Sequence, residues 1–183
     1  MRRYVGPMTN DQGTTQQRLQ AVRILSGALI GGLVIFAVVA VVALGTGEYP
    51  SPVEAAALFG INVLAFVVAE VVGYRTEAVR PDADPESALK TGLEALQQTT
   101  ILRFAITEAP AILALAWAFS TGSAWPYLIG AFWSLLCMAW HVWPSRRVAT
   151  RLERSLDREG GRSGLVAALS GSTGPSTPSY QQF

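Results

Sequence analysis

Glu70, Arg103 and Glu108 are ionisable side chains set in long apolar stretches, and Asn62 and His141 lie in comparable surroundings. Burying such groups in hydrocarbon is costly, so each marks either a structural tie or a working site. Glu108 stands inside "RFAITEAPAILALAWAF", residues Arg103 to Phe119, two positions before Pro110. Counted from Thr99 at 1.5 Å per residue, it lies ~13 Å into the apolar zone. A carboxylate at that depth needs a partner or a proton. Pro110 lacks an N–H and frees the carbonyl of Ile106. Glu108 therefore either stitches the helix into a bundle, through that carbonyl, Asn62, Ser134 or Arg103, or serves as the reversible site of a proton or cation path. Glu70 and Arg103 each lie ~6 Å inside, one turn from Tyr74 and Thr99 respectively, which predicts an ion pair between them. His141 enters at a similar level, so a proton-handling cluster is the other reading of that pair.

No spacing for other chemistry is present. The single cysteine, Cys137, excludes an intrachain disulfide. It lies four residues from the single histidine, His141, and two ligands do not make a zinc site. Neither a nucleophile–base pair nor a glycine-rich phosphate loop occurs, so no enzyme, cofactor or metal is expected. A net charge of +1 gives no reason to expect nucleic-acid binding.

These residues must be positioned by membrane helices. Half of the 183 residues are hydrophobic and only 15% are charged, against about 25% in soluble domains. Charges are sparse in four stretches, limited to Glu54, Glu70, Arg103 and Glu108 in the middle two, which predicts an all-α bundle of four transmembrane helices in two hairpins. The spans are expected at about 24–44, 53–74, 100–119 and 124–142, within a domain covering 21–144. A polar segment, 1–20, precedes it. Asp84 followed by Pro85 reads as an N-cap and first helical position, from which a helix can run into the third span. After Pro144, Val148, Leu152 and Leu156 recur every four residues among arginines, so 145–160 reads as a basic amphipathic helix. It lies either on lipid or on its own protein. A disordered tail, 161–183, is expected to follow.

All fourteen basic residues fall before the first span, around the second-to-third junction, or after the fourth span. The positive-inside rule then predicts a multi-pass protein of the cell membrane with both termini cytoplasmic. The expected partners are the bilayer itself and anionic headgroups at Arg146, Arg147, Arg151, Arg154 and Arg158. Gly27 and Gly31 form a small-xxx-small pair suited to packing within the chain or between copies, as a homo- or hetero-oligomer.

The stretch "TTILRFAITEAPAILALAWAF", together with "WPSRR" after the fourth span, resembles uncharacterised four-span bacterial membrane proteins. In that pattern Arg103, Ala105, Glu108 and Pro110 follow one another at this spacing. The resemblance implies a bacterial inner-membrane protein and makes Arg103 and Glu108 a pair, but it brings no activity. Two functions stay open: a non-enzymatic accessory or interaction subunit acting by packing, and a proton- or cation-coupled translocating protein using Glu108.

Overall fold

The structure is a computed structural model that describes residues 10–170. Residues 1–9 of the expected lead-in and 171–183 of the expected tail lie outside the described residues. Among the described residues six helices follow one another: α1 (Asn10–Leu44), α2 (Pro52–Val72), α3 (Pro85–Thr121), α4 (Trp125–His141), α5 (Arg146–Leu156) and α6 (Leu165–Leu169).

The ends of these helices are written in local chemistry. Ser51 caps α2 in a capping box: its hydroxyl accepts from the Glu54 N–H, and the Glu54 carboxylate accepts from the Ser51 N–H at 2.8 Å. Asp84 caps α3, accepting from the Ser87 N–H at 3.2 Å, with Pro85 in the first turn. The helix begun there runs unbroken for 37 residues, about 55 Å, so it exceeds a ~30 Å hydrocarbon core. It ends at Gly122, whose φ of 67° is the left-handed conformation that a glycine adopts without strain.

The four-span bundle is not what forms. Among the described residues, three helical segments are long and apolar enough to cross a membrane: Gln20–Leu44, Pro52–Val72 and α3. The stretch expected as a fourth span yields a helix of 17 residues, about 26 Å, short of the hydrocarbon thickness. Its length is limited from both sides, by the turn through Gly122 and by Trp143 and Pro144 beyond its end. The chain is thus a multi-pass, all-α membrane protein with three candidate spans, and α4 packs against α3 and α2 rather than making a second matched hairpin.

Small residues set the α3–α4 seam. Thr107, Ala111, Ala114 and Ala118 recur at i, i+4, i+7 and i+11 on α3, and all four are buried. Opposite them, Gly130 comes so close that a Cβ there would overlap the Ala114 methyl. Pro110 is buried on the same face, and its carbonyl oxygen lies 3.7 Å from where a Gly130 Cβ would stand. Tyr127 on α4 donates to the Leu33 carbonyl of α1 at 2.9 Å and ties in the first helix. A Cβ added at Gly27 or Gly31 would meet nothing within 4 Å among the described residues, so neither glycine is required for a close approach within the chain.

One end of the molecule gathers the α1–α2 and α3–α4 connections. The Ala124 N–H donates to the Gly45 carbonyl at 2.9 Å, and the Tyr49 and Trp125 rings meet edge to face. The other end has its own apolar core. Val148, Ala149, Leu152 and Leu156 of α5 are fully buried in one cluster with Ala88, Leu93 and Leu96 of α3 and Leu165 of α6. The amphipathic helix therefore buries its apolar face on its own chain. Residues 161–170, expected as tail, belong to this unit: Gly161 packs on the Val79 backbone, and the Asp157 carboxylate accepts from the Ser163 N–H.

Gly130→Ala should overpack the seam and cost about 1–3 kcal/mol. Ala114→Gly in the same chain should return most of it, as read by thermal unfolding in detergent. A Gly130→Ala variant as stable as the parent would mean that the helices do not approach this closely.

Candidate functional site

The polar residues predicted to matter separate into two groups by depth. The deeper group is largely self-satisfied. Asn62 on α2 donates to the Leu58 carbonyl at 2.9 Å and accepts from Ser134 of α4 at 3.0 Å. Asn62 and Ser134 thus satisfy each other, and neither bonds Glu108. Among the described residues Glu108 has no hydrogen-bond or ion-pair partner, and it is half-buried. Arg103, five residues earlier, does not turn towards it; its Nη2 donates to Thr100 at 3.1 Å, one turn back towards the start of α3. The stitching role expected of Glu108 is not formed.

The shallower group converges. Glu70, near the end of α2, is met from α4 and α5. The guanidinium of Arg147 lies 3.3 Å from its carboxylate, Arg151 pairs with the same oxygen, and His141 Nδ1 stands 3.5 Å from Oε2. His141 Nδ1 is also 3.1 Å from the Tyr74 hydroxyl. The histidine is fully buried, and the Phe66 ring closes on it edge to face. Glu70 is 26% exposed and both arginines 36%, so the pairs sit at the rim of the site while His141 lies inside it.

Glu70 is therefore not the partner of Arg103. Arg103 is fully buried and places its guanidinium over the Tyr74 ring, 4.5 Å from the centroid, with Arg151 approaching the same ring at 5.2 Å. A cation over an aromatic face is stabilised by the ring quadrupole. The contact depends on Gly73, where a Cβ would overlap the Arg103 side chain. Nε and Nη1 of Arg103, and Nε2 of His141, are buried without a hydrogen-bond partner among the described residues.

The local sequence explains why α5 supplies two of these groups. Ser145 caps the helix, accepting from the Val148 N–H, and the apolar face 148, 149, 152, 156 docks on α3. Arg147 and Arg151, one turn apart, then share the flank that looks at the end of α2. Glu70, Arg103 and His141 were legible as candidates. Tyr74, Gly73, Arg147 and Arg151 were not: Tyr74 served only as a marker of depth, and the arginines read as lipid contacts. The usable signal was Gly73 beside Tyr74 at the end of a span, since glycine there admits a long side chain. Cys137 and His141 do not act together: Cys137 lines an apolar groove, and the His141 Nδ1 faces Glu70 and Tyr74.

A double-mutant cycle distinguishes the two possible partners of Glu70. Glu70→Gln with Arg151→Gln should show a coupling of about 0.5–1 kcal/mol, small because the pair is partly exposed. Glu70→Gln with Arg103→Leu should be additive in the same thermal unfolding assay. The reverse pattern would restore the Glu70–Arg103 pair.

Compared with protein-family models, with curated proteins and with solved structures, the chain matches none, so the resemblance to a four-span family fails both on the number of spans and on the absence of any matching family.

Proposed function

We propose that the chain is an ion-coupled translocating membrane protein whose working carboxylate is Glu70 rather than Glu108. The observation that carries this reading is the meeting of three helices on one carboxylate, Glu70 of α2 with His141 of α4 and Arg147 and Arg151 of α5. An assembly serving packing alone has no need of a buried histidine between a carboxylate and a phenol.

The coupled ion is a proton. A metal cation would compete with two guanidinium groups for the same oxygens, whereas a proton needs one lone pair. His141 Nδ1 accepts from the Tyr74 O–H in one state and, once protonated, donates to Glu70 in the other. A proton leaving the Glu70 carboxyl for Nδ1 gives carboxylate and imidazolium, and the reverse step restores carboxyl and neutral imidazole. Neutral Glu70 no longer attracts Arg147 and Arg151, so protonation loosens α5 from α2. Charge state and helix contact are thereby linked.

The end carrying this site faces the cytoplasm in this reading. Arginines crowd α5 and the segment before α3, and none lies in the connections at the opposite end.

Proteoliposomes with an entrapped pH dye test the assignment. Wild-type protein should pass protons under an imposed pH gradient, Glu70→Gln should slow this on the order of 10²-fold, and Glu108→Gln should leave it unchanged. Loss in Glu108→Gln with Glu70→Gln intact, or no wild-type flux, refutes the proposal. Separately, a reporter active only outside the cytoplasm should work at Gly47 and Ser123 and fail at Asp84. The opposite result would invert the orientation.

A further inference from the structure

Two concavities lie on either side of the contact between Trp140 and Arg147. The first is a groove of about 600 Å³ between α2 and α4, lined mainly by Phe59, Val63, Phe66, Trp133, Leu136 and Trp140. The second is a polar pocket of about 460 Å³ on α5, lined by Arg146, Arg147, Thr150, Arg151 and Arg154. Arg147 joins them: its guanidinium lies 4.2 Å above the Trp140 ring, and its Nη1 donates to the Trp140 carbonyl at 3.4 Å. This contact joins the rim of the apolar slot to a nest of four guanidinium groups.

The charges of this nest are not balanced within the chain. Arg147 and Arg151 share the single carboxylate of Glu70. Arg146 and Arg154 are exposed and form no ion pair among the described residues. Guanidinium groups match phosphate oxygens with paired donors. Trp140 and Trp143, each about half exposed, sit at the same level, where indole rings mark the boundary between headgroups and hydrocarbon. Arg158 does not belong to the nest: it donates to the Thr76 carbonyl and pairs with Glu159.

We infer that this surface is a site for one anionic phospholipid, its phosphate on Arg146, Arg147, Arg151 and Arg154 and one acyl chain in the α2–α4 groove. The occupant must be amphipathic because the site is apolar at one end and cationic at the other. It must be anionic because four positive groups face one carboxylate. The inference is independent of proton coupling, and its test uses arginines that do not touch Glu70.

Native mass spectrometry of the full chain in detergent, titrated with phosphatidylglycerol and with phosphatidylcholine of the same acyl chains, reads the site. Phosphatidylglycerol should be retained and should raise the unfolding temperature; phosphatidylcholine should do neither. Arg146→Gln with Arg154→Gln should weaken phosphatidylglycerol by about 30-fold, from the attraction expected of two surface arginines. Arg146→Lys with Arg154→Lys should keep most of the affinity. Val63→Trp, which fills the groove without altering charge, should weaken it as well, and it carries the test alone should the glutamine pair fail to fold. Equal retention of both lipids overturns the site. So does unchanged affinity in the glutamine pair or in Val63→Trp, an equal effect from inorganic phosphate alone, or a second copy of the chain in the groove that lipid does not displace.

Discussion

A carboxylate at the edge of a low-dielectric region must find countercharge nearby, and in this protein Glu70 finds it on two other helices. Two arginines and a histidine come to one side chain, so the end of α2, the end of α4 and the start of α5 are fixed against one another. Ion pairs this exposed contribute little stability singly. Their importance is geometric, because they specify which flank of α5 turns inward. The apolar face of α5 supplies the burial that the charges do not, through Val148, Leu152 and Leu156.

This division of labour explains the two-part build. Within the apolar part, small residues bring α3 and α4 together, with Gly130 against Ala114 as the closest approach. Beyond it, α3 continues as a pillar for α5, α6 and the segment from Tyr74 to Asp84, and the Leu156 carbonyl accepts from the Val79 N–H to fasten that segment. The site lies where the two parts join. Residues there are held from the membrane side by α2 and α4 and from the other side by α5, so a change of charge at one point acts on both.

Arg103 adds a second kind of constraint. It is fully buried, yet its charge is met by the face of an aromatic ring rather than by a carboxylate. A guanidinium tolerates this better than an ammonium would, since its planar, weakly hydrated surface stacks on Tyr74. Tyr74 is thereby drawn into a row that runs Arg103, Tyr74, His141, Glu70, and the hydroxyl that meets His141 belongs to a ring polarised by two arginines.

Sequence alone determined what depends on neighbours along the chain. Hydropathy marked the apolar stretches, Asp84–Pro85 marked the start of α3, and four-residue spacing marked α5 and its apolar face. Depth along a helix follows from residue count, which is why Glu70, Arg103 and His141 could be placed at one level. Direction around the helix axis, and the path taken after a turn, depend on packing between distant segments. Only the tertiary structure could decide that α5 folds back onto α3, and hence that Glu70 meets Arg147 and Arg151 while Arg103 turns to Tyr74. It also decided that the Trp- and Leu-rich fourth stretch gives a helix too short to match the other three, because helix ends are set by turn geometry and not by hydropathy. Asn62 and Ser134 follow the same rule: each was a possible partner for Glu108, and the α2–α4 interface joined them to each other.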